Sequence, residues 1–281
     1  MVRGVARASA SMHGCVDESG GVERSIDDAR RYRLVRLAGG IRALAVCDPQ
    51  ADQRATAAVC VDGAGARTAP IELVGLAHYL EHMLFQGSQK YPGVSFYKKQ
   101  IGLHNGRCNA STSAEHTTFY FEVDAGGFEE VLDIFAQFFV GAPLLDASAA
   151  EREVEAVTNE DSRNRVNDDR RLRMVLQHSV DGRTHGTQTW SKFGTGNKGT
   201  LGAAAAEAAG VEVRAALLAY RQLFYRTDAM ALVLISSQPL DAIEARTAVA
   251  LPVDAASKAE APAAWVEAVA STVSELVALA C

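Results

Sequence analysis

The chain has 281 residues, 48% of them hydrophobic and 22% charged, with a formal net charge of −6. That is the profile of an ordinary globular protein with enough apolar residues for a sizeable core. The acidic balance gives no support to a nucleic-acid-binding face, and no apolar run approaches the ~20 residues of a membrane helix.

In chain order, residues 1–30 are polar, Gly/Ser-containing and aperiodic, and are expected to form a flexible N-terminal segment. Residues 1–16 carry Arg3, Arg7, Ser9 and Ser11 with no acid before Asp17, a composition shared by organellar transit peptides and polar tails. Tyr32–Ala38 and Ile41–Cys47 flank Gly39-Gly40 and read as a hairpin. Ala55–Val61 is a third strand, and 63–70 a turn-rich loop. Glu72–Phe85 has helical apolar spacing at Leu73, Leu76, Ala77, Leu80 and Leu84. Pro92 and Gly93 break the chain before a short helix over Val94–Ile101. Cys108–Thr112 and Thr117–Val123 are strands rich in β-formers. Helices follow at Phe128–Val140 and, long and charged, from Ala147 to about Ser179. Trp190–Leu201 is Gly-rich and irregular. Val211–Phe224 reads as a helix, Ala229–Ile235 as a buried strand, and Leu240–Ala250 as a helix. Residues 251–281 form a Pro/Ala-rich linker and an amphipathic C-terminal helix. Strands and helices mix without strict alternation, so the fold class is α+β.

Five cysteines (Cys15, Cys47, Cys60, Cys108 and Cys281) are scattered and odd in number. They read as free thiols of a reducing compartment. The expected location is the cytoplasm, or a mitochondrion or plastid if residues 1–16 act as a transit peptide.

The chemistry concentrates in Gly75-Leu-Ala-His-Tyr-Leu-Glu-His-Met-Leu-Phe85. His78 and His82, four apart on a helix, share one face and can ligate one metal ion. Glu81 lies beside that face and can take a proton from a metal-bound water. A catalytic zinc ion needs three protein ligands and one open position, and its water becomes a nucleophile near neutral pH. The third ligand must come from another element. Glu153 and Glu160, seven apart on the long helix, both qualify by spacing.

The order H-x-x-E-H inverts that of the commoner zincins. With it stand G-L-A-H-Y-L-E-H-M-L-F-Q-G-S-Q-K-Y-P (75–92), N-A-S-T-S-A-E-H-T-T-F-Y-F-E-V (109–123), F-A-Q-F-F (135–139), E-R-E-V-E-A-V-T-N-E (151–160) and S-K-F-G-T-G-N-K (191–198). In order and spacing, from about residue 32 to 245, these blocks resemble the insulin-degrading enzyme/pitrilysin/nardilysin family of metallopeptidases. The resemblance implies a mostly antiparallel sheet with packed helices, a catalytic domain over 31–250, and one Zn²⁺ per chain. It places His78, His82 and Glu160 as metal ligands, Glu81 as general base and Glu153 as a supporting carboxylate. Asn109 and Ala110 fall on the strand that pairs with a peptide substrate.

The chain departs from the family at Ser111, where a bulky residue is frequent, and in Pro92-Gly-Val-Ser-Phe, which replaces a more acidic segment. It also covers only the first of the family's four related domains. The implied partners are therefore a peptide substrate and a C-terminal-half chain or a second copy, and the chain alone is expected to turn peptides over weakly or not at all. The contrasting reading is a non-catalytic module that binds peptide or a full-length relative.

Overall fold

The computed structural model describes residues 15–16, 25–141, 143, 145–179 and 191–250. Its strands are β1 (Cys15–Val16), β2 (Arg31–Arg36), β3 (Arg42–Cys47), β4 (Arg54–Asp62), β5 (Arg107–Thr112), β6 (His116–Asp124) and β7 (Met230–Ser236). Residue alternation explains the sheet: in β4, Ala55, Ala57, Val59 and Val61 are buried while the residues between them are not, as a period of two requires. β7 repeats the pattern with Met230, Leu232, Leu234 and Ser236. The strands join in the order β1-β2-β3-β7-β4-β6-β5. Every pairing is antiparallel except β3 with β7. β5 ends the row, so one side of its backbone faces no strand among the described residues.

Nine α-helices occur among the described residues. They are α1 (Leu76–Leu84), α2 (Phe96–Leu103), α3 (Phe128–Ala136), α4 (Ala147–Asn164), α5 (Asp168–Ser179), α6 (Lys198–Leu201), α7 (Ala203–Ala208), α8 (Val213–Phe224) and α9 (Leu240–Ala250). The mixed α+β class with a mostly antiparallel sheet is as the sequence predicts. α1 packs on α4, β5 and α8, while α9 covers β2, β3 and β7. Between helices and sheet lies an aromatic cluster. Phe85, Phe119, Phe135, Phe138 and Phe139 meet mostly edge-on, with ring centroids 5.2 Å apart for Phe85–Phe138 and for Phe135–Phe139. Such pairs add about 0.5–1.5 kcal/mol beyond burial.

Several boundaries differ from the sequence reading. The helix over Glu72–Phe85 divides at Gly75, whose φ of 92° is left-handed, into a 3-10 turn (Ile71–Leu73) and α1. The helix starting at Phe128 stops at Ala136. Beyond it the Arg221 guanidinium from α8 donates to the carbonyls of Phe138, Phe139 and Gly141, giving backbone groups a partner outside the helix. The long charged helix is two: α4 ends at Asn164, and the Asn167 side chain caps α5 by accepting from Arg170 N at 3.0 Å. The irregular stretch before Leu201 closes with α6, capped by Asn197. The C-terminal linker and helix expected over 251–281 lie outside the described residues. So do most of residues 1–30.

Candidate metal centre

α1 is short and buried on most of its surface, with Leu76, Leu80, Met83 and Leu84 in the core. That burial fixes the helix roll and leaves His78 and His82 on the remaining face, their rings 4.8 Å apart and nearly perpendicular. Tyr79 Oη donates to Ala150 O at 2.8 Å and ties α1 to α4. Across that joint, Glu160 Oε2 lies 3.6 Å from His78 Nε2 and 3.7 Å from His82 Nε2. The three residues thus offer ligand atoms within 4.8 Å of one another, and no other such group of His, Cys, Asp or Glu occurs among the described residues. A tetrahedral zinc ion with ligands at about 2.0–2.1 Å spaces its donors by roughly 3.3 Å. Two imidazole nitrogens and one carboxylate oxygen at these separations fit it.

Each imidazole is oriented from behind. His78 Nδ1 lies 2.8 Å from the Thr195 carbonyl oxygen, and His82 Nδ1 lies 3.0 Å from Glu153 Oε2. Both partners accept, so the neutral form of each ring carries its proton on Nδ1 and keeps its Nε2 lone pair free for a metal ion on the side of Glu160. Gln86 in turn donates to Glu153 Oε1 at 2.8 Å. Glu81 is 7% exposed, and Thr112 Oγ1 on β5 donates to its Oε2 at 2.6 Å. No hydrogen bond from a described residue engages the other carboxylate oxygen of Glu81.

Charge follows from this geometry. Burial raises the Glu81 carboxyl above the ordinary range, against the opposing pull of His78, the Thr112 bond and His82. Burial works against a charged His82, but the Glu153 and Glu160 carboxylates outweigh it and push His82 up to about 9. The same His82 contact lowers Glu160, whose burial opposes the shift.

Residues 44–188, a span holding His78, His82, Glu81, Glu153 and Glu160, match the insulinase family, peptidase family M16. The chain belongs to that family. It is 41% identical over 220 residues to the mouse insulin-degrading enzyme, covering 78% of this chain and 21% of the relative. It is 39% identical over 227 residues to the peroxisomal insulin-degrading enzyme-like 1 of Arabidopsis thaliana, covering 80% and 23%. The crystal structure of pitrilysin superposes with a TM-score of 0.76 at 31% identity, over 90% of this chain and 26% of that one. The chain therefore spans about a fifth to a quarter of the length of these M16 relatives.

Six of the seven residues expected at the site share one cleft. His78, His82, Glu81, Glu160, Asn109 and Ala110 all line an open cavity of about 1110 Å³. Glu153 lies behind His82. Asn109 and Ala110 sit on β5, paired with Tyr120 and Phe119 of β6, Asn109 exposed and Ala110 half-buried. Sequence reasoning missed Thr112, Gln86 and the Thr195 carbonyl. Thr112 and Thr195 fall inside the recognised blocks 109–123 and 191–198, but their contacts cross 31 and 117 residues and have no signature in local spacing.

Proposed function

We propose that this chain carries the zinc-dependent peptide-hydrolysing centre of an M16 endopeptidase. The carrying observation is the convergence of His78 Nε2, His82 Nε2 and Glu160 Oε2, with both Nδ1 atoms held from behind. Those three residues would hold the metal, and Glu153 would orient His82. A zinc ion bound there supplies a Lewis acid and an acidified water. Glu81, fixed through one oxygen by Thr112, accepts the proton of the attacking water at its other oxygen and passes it to the leaving amine. The free edge of β5 at Asn109 and Ala110 receives the peptide as an added strand through main-chain hydrogen bonds.

The experiment is zinc determination on the purified chain alongside cleavage of a quenched fluorescent peptide, with and without chelator, for wild type and Glu81→Gln. About one zinc per chain in both proteins, with chelator-sensitive cleavage only in wild type, supports the proposal. Absence of bound zinc overturns it.

A second reading, which we also propose, is that the residues described here work with a facing wall supplied by a C-terminal-half chain or a second copy, and show little turnover without it. A non-catalytic peptide-binding module is the limiting form of this reading; there Glu81→Gln changes nothing. The five scattered cysteines, odd in number, support a reducing compartment, and we propose the cytoplasm. No described helix is long and apolar enough to cross a membrane.

A further inference from the structure

α5 runs along the same cleft yet buries none of its residues. Arg170, Arg173, Met174 and Gln177 all line the cavity. Their spacing of i, i+3, i+4 and i+7 puts them in one stripe, so this face of α5 is turned to the space where β5 and the metal centre lie. The stripe opens with two cations.

Other basic groups on that wall are already engaged. Arg165 pairs with Asp161 at 2.8 Å, Arg171 with Asp168 at 3.0 Å, and Lys192 Nζ donates to the carbonyls of Arg67 and Ala69. Arg170 and Arg173 have no ion pair among the described residues. On β5, Ser111 is exposed into the same cavity and presents only a hydroxyl. No carboxylate on β5 opposes the arginines; among the described residues the cleft's acids are Glu81, Glu160 and Asp161, two at the metal centre and the third paired with Arg165.

We propose that Arg170 and Arg173 form a subsite selecting acidic side chains in the bound peptide, with Ser111 leaving the room they need. The inference rests on the peptidase reading, since it assumes a peptide strand in this cleft. It is local in nature: the chain as a whole is acidic, at −6, so its average field repels the ligands this wall attracts.

The test measures binding, independent of turnover. Fluorescence anisotropy with the zinc-loaded Glu81→Gln protein compares a labelled peptide carrying Glu successively at positions flanking its central bond with isosteric Gln peptides. At least one Glu position should bind about fivefold more tightly than its Gln counterpart at low ionic strength, and the advantage should shrink with added salt. Arg170→Gln/Arg173→Gln should bring that ratio toward one. Lys99→Gln/Arg36→Gln, which removes the same charge from exposed positions outside this cavity, should leave the ratio intact. Equal binding of Glu and Gln peptides overturns the subsite and leaves the peptidase reading standing. A preference that survives the arginine double variant, or vanishes equally in the lysine/arginine control, overturns it too. Failure of every peptide to bind overturns both.

Discussion

His82 Nδ1 and Glu153 Oε2 stand 3.0 Å apart, and the second oxygen of that carboxylate is held by Gln86 at 2.8 Å. Glu153 thereby fixes the ring that presents Nε2 to the centre without facing the centre itself. Glu153→Ala should weaken zinc binding by about 10–100-fold, read by competition with a chelator of known affinity. Glu153→Gln, which keeps an acceptor but no charge, should fall between. Unchanged affinity in the alanine variant would show that α1 packing alone orients the ring.

His82 also gives the metal-free protein a pH dependence. Its folded value near 9 stands above the ordinary 6.5, so the charged ring stabilises the fold. That contribution is complete below about pH 6.5 and is lost as pH rises toward 9. Zinc competes for the same ring, so apparent zinc affinity should rise across that window. Near pH 7.5 each zinc bound should displace about one proton from His82. Titration calorimetry in buffers of differing ionisation enthalpy counts it; zero protons released would contradict the arrangement.

Thr112 donates to Glu81 and favours its charged form. Thr112→Val keeps the shape and removes the donor, so the Glu81 carboxyl should move further up. The acid limb of the pH profile of peptide cleavage should shift to higher pH while zinc content stays at wild-type level. A profile that does not move would remove Thr112 from the proton-transfer argument.

Gly75 and Gly196 touch where α1 begins. A Cβ at Gly75 would lie 2.4 Å from the Gly196 Cα, at a φ of +92°. Gly75→Ala should therefore cost more than the ~1 kcal/mol that an open left-handed position would. It should also weaken zinc binding, because Thr195, next to Gly196, supplies the carbonyl for His78. Gly210→Ala, with φ +66° and nothing within 4 Å of the added carbon, is the comparison. Urea unfolding of both variants separates steric clash from backbone strain; equal losses would discount the contact.

Much of the sheet was legible because β-formers cluster in short runs bounded by turn residues. Ala55–Val61 reads as a strand, although apolar Ala58 and Cys60 hide which face is buried, and Gly39-Gly40 marks the β2–β3 turn. His78, Glu81 and His82 were legible because helical spacing is local. The division between α4 and α5 was hidden by continuous charge, although Asn167-Asp168-Asp169 is a cap followed by acidic first-turn residues. The end of α3 was not readable near Phe138, since the Arg221 that satisfies its carbonyls is more than 80 residues away. Spacing left Glu153 and Glu160 equivalent; they separate only when α4 docks on α1, setting one behind His82 and the other before it.

The two imidazoles are restrained by unlike groups, one by a main-chain carbonyl and the other by a side-chain carboxylate. A single codon change can delete the Glu153 carboxylate, but no substitution at Thr195 removes its backbone oxygen. Natural variation can therefore retune the basicity of His82 by small steps, while the tautomer of His78 is inherited with the path of the chain and changes only if that path does.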